Sequence, residues 1–141
     1  GPDFQAVNIN QAALDGVEVE YQGQWGPWQS SANLSLQDSE DRSTGQDLLR
    51  RPGRKASLSL TRQFDAGSWL RAEWFVSGER ADVGGQVLPG YALVNAALGY
   101  PLTASTTLEL RLDNLLDHEY EPARGFNSAG RALFLSAHWA R

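Results

Sequence analysis

Two groups of charged residues have the types and spacing that chemistry asks for. Asp38, Glu40, Asp41 and Asp47 crowd one polar stretch, D-S-E-D-R-S-T-G-Q-D. Calcium prefers several carboxylate oxygens, so such a stretch is where a hard cation would be sought. The spacing lacks the D-x-[DN]-x-[DN]-G of an EF-hand, and a solvated acidic loop is the simpler reading. Glu109, Arg111 and Asp113 share one face of an alternating segment. Paired carboxylates can act as general acid and base, but Arg111 neutralises them and no convergent His or nucleophile accompanies them. His118 and His138 are lone histidines, and neither makes a metal site. Gly84-Gly85 would cradle a phosphate only ahead of a helix, and no helical period follows. These residues speak against an enzyme and against a resident metal or cofactor.

The elements that must position these groups are strands. Leu108, Leu110 and Leu112 alternate with Thr107, Glu109, Arg111 and Asp113, and Leu133, Leu135, Ala137 and Trp139 alternate with Ala132, Phe134, Ser136 and His138. Side chains of a strand point to opposite faces in turn, so each run has one apolar face. The same period marks Val17 to Trp25, Trp28 to Gln37, Arg54 to Phe64, Ser68 to Gly78 and Tyr91 to Tyr100. Phe4 to Asn10 adds a blurred candidate, closed by Asp15-Gly16 read as a tight hairpin turn. The count is about eight strands in an all-β antiparallel up-and-down meander, with no helical period anywhere. Glu109, Arg111 and Asp113 are expected to pair across to neighbours such as Arg71 and Glu73.

Connections carry further information. Short turns at 26–27, 65–67 and 101–105 alternate with long loops at 38–52, 79–90 and 114–130. A meander has two ends, so short turns gather at one and long loops at the other. That asymmetry belongs to outer-membrane barrels. Trp25, Trp28, Trp69 and Tyr100 stand near the short-turn ends, where an aromatic girdle would lie. The 141 residues carry a net charge of −5, which argues against a nucleic-acid partner, and no cysteine. No apolar run approaches the roughly 18–20 residues of a spanning helix, a test that barrel strands escape. The opening Gly1-Pro2 reads as a protease scar, leaving 3–141 as the folded part.

The segment Asn114-Leu115-Leu116-Asp117-His118-Glu119-Tyr120, then G-F-N-S-A-G-R at 125–131 and a closing amphipathic strand, resembles the C-terminus of TonB-dependent outer-membrane receptors. Within that family it looks most like the vitamin B12 (cobalamin) transporters. D-G-V-E-V-E at 15–20, Leu49-Arg50-Arg51-Pro52, Gly78-Glu79-Arg80-Ala81-Asp82 and Leu88-Pro89-Gly90-Tyr91 resemble family segments in the same order. Two departures stand out. The family usually ends on an aromatic residue, and this chain ends His138-Trp139-Ala140-Arg141. Its members are about four times as long, with an N-terminal TonB box and a plug inside a barrel of about 22 strands. The resemblance implies that this chain is the C-terminal barrel segment, without plug or TonB box.

The resemblance implies a place in the bacterial outer membrane and a part in cobalamin or corrinoid uptake, without transport by this segment alone. Lipid, the remaining barrel and the plug are the implied partners, with TonB reached only through the N-terminal part. Phe126 and Asn127, in the loop between the last two strands, are the implied ligand-binding residues. Asn114, Leu115, Asp117, Tyr120, Gly130 and Arg131 are the implied structural motif. Tyr120 and Arg131 belong to the loop base and a lumen-side hydrogen bond. Calcium in the outer loops is a family property that this acidic loop does not by itself support. Two other architectures fit the alternation: a self-contained eight-stranded barrel, and a soluble two-sheet β-sandwich acting as a binding module. A cut barrel also exposes edge strands, so edge closure or an edge-to-edge homodimer is expected in isolation.

Overall fold

The alternating segments form strands that pair in sequence order. In the computed structural model, residues 11–140 are described; the blurred candidate at 4–10 lies outside them. The strands are β1 (Ala12–Trp25), β2 (Trp28–Asp41), β3 (Gln46–Asp47), β4 (Arg54–Gln63), β5 (Trp69–Ser77), β6 (Arg80–Asp82), β7 (Gln86–Leu88), β8 (Tyr91–Thr103), β9 (Thr106–Asp113) and β10 (Ala132–Trp139). One antiparallel sheet runs β1-β2-β4-β5-β8-β9-β10, with β3 added to β2, and β6-β7 make a separate hairpin. Among the described residues β1 and β10 are the sheet's two edges, and they do not pair with each other.

Register makes the two faces explicit, because directly opposed residues of antiparallel strands share a face. One row runs Val19, Leu34, Ala56, Val76, Ala92. Another runs Arg62, Leu70, Leu98, Leu110, Leu135. The opposite face carries Glu20, Asn33, Ser57 and Phe75, and a parallel row of Gln22, Ser31, Ser59, Glu73 and Asn95. A transmembrane strand needs about 9–11 residues; β4 has 10 and β5 has 9.

Among the described residues no second layer covers the apolar face. Among the described residues the only buried hydrophobic ones are Leu48 and Leu88, both in the loop region. Trp74, Val19, Leu133 and Leu135 are each more than half exposed. A β-sandwich would bury this face against a second sheet, and a self-closed barrel would join β1 to β10. The sheet does neither.

The structure corrects several local expectations. Asp15-Gly16 is not a turn: β1 runs straight through it, with Asp15 opposite Asp38 and Gly16 opposite Gln37. A Cβ on Gly16 would stand 2.6 Å from the Leu36 carbonyl oxygen, so close approach of β2 is what asks for glycine here. The loop expected at 38–52 begins later, because β2 continues to Asp41 and Glu40 and Asp41 pair with Asp47 and Gln46 of β3. The Gly-rich stretch 79–90 holds the β6-β7 hairpin. Its turn uses Gly84 and Gly85 at φ 73° and 70°. The turn at 101–105 shrinks as well, since β8 reaches Thr103 through a bulge after Pro101. Gly26 at φ 54° makes the two-residue turn between Trp25 and Trp28.

Trp69 is also corrected. Its register partners are Gln63 and Gly99, which puts it on the polar face beneath the Arg71 guanidinium, 5.1 Å from its ring centre. Trp139 pairs with Thr106 in the row next to Leu108 and so joins Trp25, Trp28 and Tyr100 on the apolar side. The expected pairing of Glu109, Arg111 and Asp113 with Arg71 and Glu73 fails because β8 lies between β5 and β9. Arg111 instead bonds Asp113 at 3.1 Å and covers Phe134 of β10. Glu109 faces His138 at 3.6 Å.

Candidate functional site

Most of the polar groups buried among the described residues lie toward the long-loop end; Thr61 is the exception. Asp82, at the end of β6, is 1% exposed. One oxygen, Oδ1, accepts from the Arg50 Nε at 3.0 Å and from the Val83 backbone N–H at 2.8 Å. The other, Oδ2, accepts the Arg124 backbone N–H at 2.7 Å. Three connecting segments therefore meet on one carboxylate: the one carrying Arg50, the β6-β7 hairpin, and the loop between β9 and β10. The Arg124 amide holds the carboxyl below its ordinary range, helped by the Val83 amide and Arg50, while burial pushes the other way. The Arg50 backbone N–H also donates to the Ala81 carbonyl at 2.7 Å.

Arg80 sits beside Asp82 on the same short strand and is 6% exposed. Its guanidinium donates to three carbonyls, those of Glu121, Pro122 and Pro89. It also covers the Tyr91 ring at 5.3 Å. A buried cation needs its donors satisfied, and here two carbonyls of the β9-β10 loop and one ahead of β8 do so. Tyr91 stacks on Tyr120 with centroids 4.1 Å apart, and Phe75 lies 6.0 Å from Tyr91. Arg80, Asp82 and this aromatic group together fasten the last long loop to the sheet.

The Asn114–Tyr120 segment turns on two left-handed residues, Asn114 at φ 50° and Asp117 at φ 54°. Asn and Asp reach that region more readily than other non-glycine residues. The buried Asn114 side chain closes a ring with His118, donating to its carbonyl and accepting its N–H. The Asn114 backbone N–H donates to Asn95 Oδ1, and Leu115 N–H to the Val94 carbonyl at 2.7 Å. Asp117 Oδ1 accepts the Arg131 backbone N–H at 2.7 Å. A Cβ on Gly130 would lie 2.9 Å from that same oxygen. Arg131 thus contributes its amide here, at the mouth of β10.

The structure separates Phe126 from Asn127. Phe126 is 66% exposed at a tight turn closed by its N–H to the Ala123 carbonyl. Asn127 lines a loop cavity of about 590 Å³ together with Pro89, His118, Tyr120 and Glu121. In the acidic stretch Asp41 accepts from Ser43, and among the described residues no three metal-ligating side chains converge.

Sequence reasoning noted the segments holding Arg50, Arg80 and Asp82 but gave none of them a site role. The available signal was an Arg and an Asp two residues apart just before a Gly-Gly turn, which are the sort of charges that brace a loop. What the arrangement does is position loops relative to the sheet.

The profile described as TonB dependent receptor-like, beta-barrel, matches residues 1–115. The vitamin B12 transporter BtuB of Vibrio cholerae is 33% identical over 95% of this chain, which spans 23% of that protein's length. The siderophore receptor PiuA from Acinetobacter baumannii superposes with a TM-score of 0.78 at 22% identity, over 91% of this chain and 22% of that one. The ferripyoverdine receptor of the outer membrane of Pseudomonas aeruginosa superposes at 0.75 and 21% identity, over 91% and 19%. These superpositions carry the fold. The chain belongs to the TonB-dependent receptor-like β-barrel family, proteins of the bacterial outer membrane.

Proposed function

We propose that this chain is the C-terminal barrel wall of a receptor that takes up cobalamin or a related corrinoid. The observation that supports this most is the 33% identity, over 95% of the chain, to a protein named as a vitamin B12 transporter. In this reading the apolar face meets lipid and the polar face lines the lumen around a plug. Energy for release comes through TonB at the N-terminal part of the receptor. The β9-β10 loop supplies one side of the ligand surface. Exposed Phe126 offers an aromatic face to the corrin, and Asn127 offers an amide from the loop cavity. The Asp82 and Arg80 contacts hold that loop in place, so less ordering cost falls on binding.

The test grafts this chain in place of the matching segment of the Vibrio cholerae relative. Uptake of labelled cyanocobalamin is then measured beside uptake of a ferric siderophore. The reading expects cobalamin uptake near that of the parent. A chimera present at the cell surface at the parental level that moves only the siderophore would sink it.

A further inference from the structure

On the apolar face, at the long-loop end, lies a groove of about 570 Å³. Its walls and floor are Leu34, Leu36, Ala56, Val76 and Ala92, and its lining also includes two cations, Arg54 and Lys55, and one carboxylate, Glu79. The groove exists because the row beyond Leu36 is bare. Arg54 is followed across the sheet by Gly78, where an added Cβ would stand 2.7 Å from the Arg54 Cγ. The Arg54 stem therefore lies along the sheet surface, across Gly78. His118 lines the same groove.

Arg54 differs from the other cation of this face. Arg62, at the short-turn end, lies over Trp28 and Phe64 at 5.3 and 4.9 Å. The Arg54 guanidinium is exposed and has no ion pair, side-chain hydrogen bond or ring contact among the described residues. A cation at the edge of an apolar band sits where headgroups lie, and it attracts anionic ones. The groove below it is wide and apolar enough for an acyl chain.

We propose that this groove is a lipid site, holding one acyl chain against Leu34, Leu36 and Ala92 with its phosphate on Arg54. The inference rests on the lipid-facing orientation of the sheet and is independent of the receptor's cargo.

The test uses the full receptor carrying this chain, purified in detergent and examined by native mass spectrometry. Probes are dimyristoyl phosphatidylglycerol, dimyristoyl phosphatidylcholine and glycerol phosphate. The receptor is expected to retain one phosphatidylglycerol. Arg54→Gln should lower its occupancy about fivefold, the share of one cation near an anionic surface. Arg54→Lys should keep most of it. Ala92→Leu, an apolar change on an exposed lipid-facing position, should fill the groove and lower occupancy with the charge intact. Equal retention by all four proteins overturns the site. So does equal retention of phosphatidylcholine, or occupancy by glycerol phosphate alone, which would mark an anion site without a chain. No outcome here measures uptake, so the cargo reading stands or falls separately.

Discussion

Asp82 accepts the backbone N–H of Arg124 at 2.7 Å across a sequence separation of 42 residues. One buried carboxylate thereby fixes a loop that is covalently tied to the sheet only at β9 and β10. Substituting Asp82→Ala leaves the Arg124 and Val83 amides without their partner. Leaving a hydrogen-bonding group unpaired costs roughly 1–3 kcal/mol, so loss of the Arg124 bond should weaken loop closure by about that much. Limited proteolysis should then cut between 120 and 129 at least an order of magnitude faster, while the strands stay protected. Unchanged cutting would show that the loop is held elsewhere.

The same carboxylate makes a pH prediction. Its pKa lies below the ordinary 3.8 in the folded protein. A depressed acid contributes stability that is complete above its unfolded value and is lost as pH falls through the folded one. The Arg124 and Val83 amide resonances should therefore stay constant down to about pH 4 and shift only at lower pH. A midpoint above the ordinary carboxylate value would contradict the geometry.

Gly99 sits beneath Trp69, and a Cβ there would come within 2.2 Å of the Trp69 Nε1. Gly99→Ala should drive the indole out from under Arg71. Overpacking of this kind costs about 1–3 kcal/mol. The Trp69 indole N–H resonance should move, and the denaturation midpoint in micelles should fall.

Tyr120 stacks on Tyr91 with ring planes 20° apart. Tyr120→Phe keeps that face and should leave loop protection unchanged. Tyr120→Ala removes it and should cost about 1–3 kcal/mol locally. Hydrogen exchange at Ser128, whose N–H donates to the Tyr120 carbonyl, is the readout. Equal protection in both variants would remove the stack from the account.

The strands were legible because their information is local. Alternation along β4, β5, β8, β9 and β10 states which face is apolar, and turn residues such as Gly26 state where the chain reverses. Asp15-Gly16 misled for a physical reason: the same dipeptide serves a tight turn or a strand pressed against its neighbour. Gly16 does the second, against Leu36. Trp69 was assigned to the wrong face because closeness to a turn does not fix parity, while its register with Gly99 does. The loop contacts were hidden because Arg50 and Asp82 lie 32 residues apart and Arg80 and Glu121 lie 41 apart. No periodicity encodes meetings at that range.

The uncovered side of the sheet has a consequence for how the sequence can drift. In a close-packed protein interior a single added methylene is felt, because neighbouring side chains are fixed. Trp74, Leu135 and Val19 have no such neighbours above them. If that face meets lipid, as proposed, a fluid hydrocarbon adapts to whatever shape it meets, so size and branching there are free to wander while polarity is not. Trp69 above Gly99 and Phe134 under Arg111 interlock with partners on the opposite side. Those positions should accept few changes, and related chains should differ most along the rows that are most uniformly greasy.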